Sequence, residues 1–353
     1  MPLSMDSLAL LEGLLAHYSP TGEEAGAAAY LVEQMQAAGF RAEIDPAGNA
    51  VGQLGDGPRE ILLLGHIDTV PGFIPVHYED DRFYGRGAVD AKGPLACFAA
   101  AVASVGARPG WRFIVVGAAA EEGDSHGAKY LCANHRPPEM VVIGEPSGWD
   151  HVTLGYKGSL WLDYRVSRPL AHTAARVPSA GECAVGFWNA LSAAAQDYNA
   201  GHERVFEQLS PSLREMNSVQ DGFTQTASLR INLRIPPALD EAEIRSLLNA
   251  LSDSGELRWE EFTPAYRAEK NTALVRALLA GIRRAGGQPG FTLKSGTSDM
   301  NLAGPAWSCP ILAYGPGDSS LDHTPEERIL IGDYLKGIQA LSAALEILTR
   351  EGN

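Results

Sequence analysis

Short apolar runs at 61–64, 112–116 and 140–143 alternate with helical patterns near 93–104 and 125–135. Alternation of this kind implies a largely parallel sheet covered by helices, and the ligands of such sheets gather at the carboxyl ends of the strands. His66, Glu121 and Glu145 each fall just after one of these runs. Two further helical patterns, 7–18 and 23–38, precede the first strand, the second closed by Gly39, a residue suited to a left-handed helix end.

The pattern changes after Pro146. From about 151 to 262 there are strand patterns at 158–166, 226–235 and 257–262 and helical patterns at 179–196 and 240–251. This suits a small α+β domain of about four strands and two helices inserted into the first domain. The first domain then resumes with helices near 272–285 and 332–349 around a strand at 310–313. We therefore expect an α/β domain with a mixed, mostly parallel sheet from 1–150 and 265–353, and an inserted α+β domain from 151–264.

At 353 residues the chain is long enough to bury two cores. Its net charge of -15 argues against a nucleic-acid or anionic-membrane binder, since an acidic surface repels both at long range. No apolar run approaches a membrane span, and the start lacks the basic residues and unbroken apolar core of a signal peptide. Cys97, Cys132, Cys183 and Cys309 are far apart, with no Cys-x-x-Cys spacing, which fits reduced thiols in a cytoplasm.

Five stretches carry the chemistry: Gly65-His66-Ile67-Asp68, Asp90-Ala91-Lys92, Glu121-Glu122-Gly123, Gly144-Glu145-Pro146 and Asp322-His323-Thr324-Pro325. Two imidazoles and three carboxylates form the mixed ligand set that zinc, cobalt or manganese accepts, with Glu121 left over beside a ligand to move protons. Asp68, two residues from His66, can reach the imidazole from the same side of an extended segment and fix its tautomer. Asp90 follows a glycine-rich approach, Gly85-Arg86-Gly87-Ala88-Val89, that lets a carboxylate crowd an ion. One carboxylate bridging two cations would hold them about 3.5 to 4 Å apart. The expectation is a two-metal hydrolase, with His17, His77, His126, His135, His151 and His202 left to surface or packing.

Taken in order, Gly-His-Ile-Asp-Thr-Val-Pro (65–71), Gly-Arg-Gly-Ala-Val-Asp-Ala-Lys-Gly (85–93), Ala-Glu-Glu-Gly (120–123), Gly-Glu-Pro-Ser (144–147), Ser-Gly-Thr-Ser-Asp (295–299) and His-Thr-Pro-Glu-Glu (323–327) resemble the M20 metallopeptidase family. The resemblance spans the chain and implies a di-metal catalytic domain with an inserted lid and dimerisation domain. It implies one ion, zinc or else cobalt, on His66, Asp90 and Glu145, and a second on Asp90, Glu122 and His323. Asp90 would be the bridge, Glu121 the general base, Asp68 the residue orienting His66, and His172 of the lid the group that stabilises the oxyanion. Lys157, Arg234 and the loop Gly296-Thr297-Ser298 resemble positions that contact substrate.

Within the family, the 85–95 segment and the compact length are most similar to members acting on amino acids linked to a carrier protein. This implies release of lysine, or ornithine, from the terminal glutamate side chain of an acidic amino-group carrier protein, by a homodimer joined through the lid. The alternatives are a small-molecule deacylase of acetyl-ornithine, acetyl-lysine or succinyl-diaminopimelate, and a catalytically silent binding protein on the same fold. A carrier-directed enzyme would need a basic rim, for which Lys157, Arg165, Arg168 and Arg176 are the candidates.

Overall fold

The computed structural model describes residues 5–253 and 255–350. The chain divides into two compact units, one of 1–155, 268–293 and 298–353, the other of 156–267 and 294–297.

In the first unit, Arg59–His66 lies between Trp111–Ala118 and Met140–Gly144, parallel to both, and Ile311–Ala313 extends the parallel set beyond Met140–Gly144. The register aligns the strand ends: His66 pairs with Ala118, and Gly65 with both Gly117 and Gly144. Because parallel strands point the same way, the segments that follow them leave the sheet at one edge, and the motif residues are delivered together. Ile61–Leu64 and Val141–Val142 are buried almost completely, as expected of strands covered on both faces. Lys92–Val105 is a nearly all-buried helix that packs on these strands and against Ile331–Leu348.

Several strands carried no clear pattern in the sequence. Arg41–Ile44 and Ala50–Gly55 add an antiparallel margin beside Trp111–Ala118. A separate small sheet joins His77–Glu79, Arg82–Tyr84 and Arg328–Leu330. Met300–Trp307 is helical although Gly304 and Pro305 lie inside it.

The second unit is an antiparallel sheet in the order Ser210–Gln220, Thr224–Ile235, Gly158–Pro169, Glu256–Trp259. Along Gly158–Pro169 burial alternates, so Leu160, Leu162, Tyr164 and Val166 enter the core and the residues between them face solvent. The helices Ala180–Asn199 and Glu241–Leu251 cover the apolar face through Phe187, Leu191, Ile244 and Leu248. Each begins with a reciprocal cap, Ser179 with Glu182 and Asp240 with Glu243, which satisfies amide donors that the first turn leaves free. Ser210–Gln220 is the unexpected element. It is largely polar and its last seven residues are exposed, as an edge strand allows.

Candidate metal centre

The parallel edge supplies the first part of the site. His66 ends its strand, buried, with Nδ1 3.0 Å from the main-chain oxygen of Asp68 and Nε2 3.1 Å from Oδ1 of Asp90. The other oxygen of Asp90, Oδ2, lies 3.1 Å from Nε2 of His323, and His323 Nε2 is also 2.9 Å from Oε1 of Glu122. Asp90 thus stands between two imidazoles with one oxygen toward each.

Asp68 meets His66 through both its backbone and its side chain. Its main-chain oxygen makes the closer contact to His66, while its carboxylate oxygen is 3.4 Å away. The buried carboxylate accepts the N–H groups of Glu121 and Glu122, at 3.0 and 3.1 Å, and the hydroxyl of Thr21 at 2.8 Å. It therefore anchors the loop carrying the expected base and a ligand, besides orienting the imidazole. Burial works against ionisation of Asp68, but His66 and these donors outweigh it and hold its pKa below the usual value. The backbone turns sharply at both loops: Ala120, before Glu121, has φ 58° and His323 has φ 61°. Residues with side chains rarely occupy this region, and such conformations gather at functional sites.

Acidic groups crowd the centre. Donor atoms of His66, Asp90 and Glu122 lie within 4.8 Å of one another, as do those of His66, Glu121 and Glu145. Burial, reinforced by neighbouring carboxylates, raises Glu121 and Glu145 well above the ordinary carboxylate range. Burial alone would lower His66, yet hydrogen bonds to the Asp68 and Asp90 carboxylates raise it well above the imidazole value. His323 is pushed up to about 10 by Asp90 and then Glu122. Imidazole nitrogens facing carboxylate oxygens at these distances share either a proton or a cation. Two imidazoles with hard oxygen donors match the preference of zinc and similar divalent ions, so the residues present fit a pair of such ions.

The structure adds one residue to which the sequence assigned no role. Asp299, at the start of Met300–Trp307, is 3% exposed, and its Oδ1 has no hydrogen-bond partner. Its charge is felt by Glu121 and Glu145. Only its place in the Ser-Gly-Thr-Ser-Asp motif drew attention to it. Lys92, two residues after Asp90, is completely buried and donates to the main-chain oxygens of Leu14 (3.0 Å) and His17 (2.7 Å) at the end of Ser7–Ala16. Burial lowers its pKa to about 7.

Of the remaining expected residues, Ser298 belongs to the first unit and the others to the second. Arg234, in the second unit, places Nη1 3.2 Å from Oγ1 of Thr297. His172 is exposed, in the segment after Gly158–Pro169, and accepts the N–H of Ala174. Gly296 is open, with no atom within 4 Å of where a Cβ would stand. Ser298 is buried and its hydroxyl accepts the N–H of Met300. Lys157 corrects an expectation: it is fully buried, and its ammonium donates to the main-chain oxygens of Val205 and Gln208 and to the Ser210 hydroxyl. Three acceptors use the three donors of an ammonium, which leaves none for a substrate carboxylate. Arg165 is exposed on the solvent face of its strand, whereas Arg168, three residues on, falls on the opposite face.

A site that gathers two imidazoles and several carboxylates beside the sheet's carboxyl edge, with Glu121 next to them, defines a metal-dependent hydrolase. The sequence model of peptidase family M20/M25/M40 matches residues 62–347, and the chain belongs to that family. Among similar proteins are the LysW-lysine hydrolase of Deinococcus radiodurans, 44% identical over 93% of this chain and 92% of that one, and a LysW-lysine/LysW-ornithine hydrolase of Saccharolobus islandicus, 30% identical over 96% and 95%. The fold is shared with an M20 family metallo-carboxypeptidase from Sulfolobus solfataricus, at TM-score 0.79, 18% identity and 97% and 99% coverage of the two chains. It is shared too with aminopeptidase PepT from Bacillus cereus, at TM-score 0.79, 16% identity and 98% and 100% coverage. No helix among the described residues is long and apolar enough to cross a membrane.

The crowding has a measurable consequence. Burial, partly offset by His66 and then reinforced by Asp68, pushes Asp299 from the ordinary 3.8 up to about 7. A carboxyl raised by folding stabilises while protonated, so its contribution is full below 3.8 and is lost as pH rises through about 7. In metal-depleted protein the thermal midpoint is expected to fall by several degrees between about pH 5 and 8, and Asp299→Asn, which stays neutral, to flatten that fall. Calorimetry in the presence of a chelator checks this, and an unchanged slope in the variant would remove Asp299 as its source.

Proposed function

We propose that this chain is a two-metal amidohydrolase that releases lysine from an acidic amino-group carrier protein. It cleaves the amide between the α-amino group of lysine and the carrier's terminal glutamate side chain, with ornithine as a second cargo. The observation that carries the chemistry is the Asp90 carboxylate, with one oxygen toward His66 and the other toward His323. The substrate is supported by relatives named for LysW-lysine hydrolysis that match the chain along nearly its whole length.

In this reading His66, Asp90 and Glu145 hold one zinc ion and Asp90, Glu122 and His323 the other, with cobalt as the alternative metal. The ions supply Lewis acidity, polarising the amide carbonyl and making water nucleophilic at neutral pH. Glu121 accepts the proton of the attacking water on its carboxylate and returns it to the departing lysine nitrogen as the C–N bond breaks. Asp68 keeps Glu121 in place through the 3.0 Å contact to its N–H. In the second unit, Arg234 with Thr297 is the candidate for the substrate carboxylate and His172 for the developing oxyanion. Lys157 supports the unit's fold instead. The unpaired edge Ser210–Gln220, with Met216, Val219 and nearby Phe223 exposed, is the candidate dimer surface. The four cysteines act as thiols in a cytoplasmic enzyme.

Purified zinc-loaded protein, offered carrier-linked lysine, carrier-linked ornithine, acetyl-lysine, acetyl-ornithine and succinyl-diaminopimelate, should release amine fastest from the carrier-linked amino acids. Faster turnover of any acylated small molecule would replace the carrier reading with the deacylase one. Glu121→Gln should keep both metals but lose ~10² to 10⁴ in kcat, because an amide cannot take the proton. Metal analysis with initial rates decides it, and a metal-replete variant near the wild-type rate would remove Glu121 as the base. Sedimentation should find a dimer that Met216→Lys with Val219→Lys converts to monomer. A monomeric wild type, or a variant still dimeric, would reject this surface.

A further inference from the structure

Four residues beyond His323, in the turn that leads into Arg328–Leu330, a second glutamate serves the centre without facing it. Glu327 is completely buried. Its Oε1 accepts the N–H groups of Val89 at 2.9 Å and Asp90 at 3.0 Å. Its Oε2 accepts the N–H of Gly87 at 3.1 Å and the guanidinium of Arg86 at 2.8 Å, and its main-chain oxygen accepts the N–H of Gly85 at 3.5 Å. Arg86 is held in turn by the oxygen of Gly72, 2.9 Å from its Nε. One carboxylate therefore gathers three backbone N–H groups of the glycine-rich segment that ends at Asp90, and it is attached to the loop that carries His323.

We propose that Glu327 is the positioning residue of the metal pair: by clamping the Gly85–Asp90 segment onto the His323 loop, it fixes where the Asp90 carboxylate stands between His66 and His323. The inference rests on the two-metal reading. Gly85 and Gly87 leave the segment conformationally free, and Gly87 has φ 86°, so the backbone has no intrinsic reason to stop where it does. Asp90 must present its two oxygens to different partners, and a small rotation of its backbone would move both. An uncharged surrogate cannot make the same set of bonds. Glutamine offers one oxygen to two of the four donors and turns its NH₂ toward the other two, where donor meets donor. The loss therefore falls on Asp90, although no atom of residue 327 need touch an ion or substrate.

The test strips the metal and titrates zinc alone into wild type, Glu327→Gln, Arg86→Met and Asp90→Asn, with circular dichroism to confirm folding. Glu327→Gln should bind zinc ~10- to 100-fold more weakly and lose kcat by a similar factor, with KM for carrier-linked lysine unchanged. The absorption spectrum of its cobalt-loaded form should also shift, which a loss of stability alone would not cause. Arg86→Met keeps three of the four contacts and should shift the isotherm in the same direction by less. If Glu327→Gln does not fold, Arg86→Met decides the matter. A wild-type isotherm and cobalt spectrum in a folded Glu327→Gln, or failing that in Arg86→Met, would overturn the positioning role. Asp90→Asn separates the two levels. If it too keeps both metals, the two-metal reading falls; if it loses them while Glu327→Gln does not, only the role of Glu327 falls.

Discussion

Like charge brought into one place is the constraint on which the first unit is arranged. Asp90, Glu121, Glu122 and Glu145 gather around His66, half-buried or buried, and an isolated buried carboxylate is costly unless it is paired or bound to a cation. The fold meets this in layers. Asp68 accepts two backbone N–H groups and a hydroxyl, Asp90 faces two imidazoles, and Glu327 accepts three backbone N–H groups and Arg86. Burial raises the pKa of Glu121, Glu145 and Asp299 above the ordinary carboxylate range, and that of Glu327 as well.

That division separates groups that build the site from groups that react to its occupant. Carboxylates bonded to the backbone are fixed by geometry and change little with conditions. Those held mainly by burial are poised, and a divalent ion changes their protonation by changing the local field. Glu121 belongs to the second kind, which suits the proposed role of accepting and returning a proton.

Much of this was legible because the chemistry sits where strand periodicity ends. The runs before His66, Glu121 and Glu145 are short, apolar and in register, and their burial leaves little freedom in where the next residues emerge. Other features were illegible for physical reasons. Lys157 carries a charge, and only the carbonyls of Val205 and Gln208, some fifty residues away, show that the charge is internal. Ser210–Gln220 lacks an apolar face because an edge strand needs none, and Met300–Trp307 contains the residues that usually end a helix. Arg165 and Arg168 look like neighbours in the sequence, but an extended chain turns them to opposite faces. Asp299 lies inside a recognisable motif, and it took the orphaned oxygen to single it out.

The buried ammonium of Lys92 has a practical meaning for anyone handling this protein. It crosses from the residue pair that follows Asp90 to the carbonyls closing Ser7–Ala16, so the first helix is moored to the Asp90 segment although some seventy-five residues separate them in sequence. The helix Ser7–Ala16 is therefore tied to the segment that carries Asp90. A truncation that enters it, or a fusion partner that pulls on it, would be felt as lost metal retention before any contact in the centre itself had been altered.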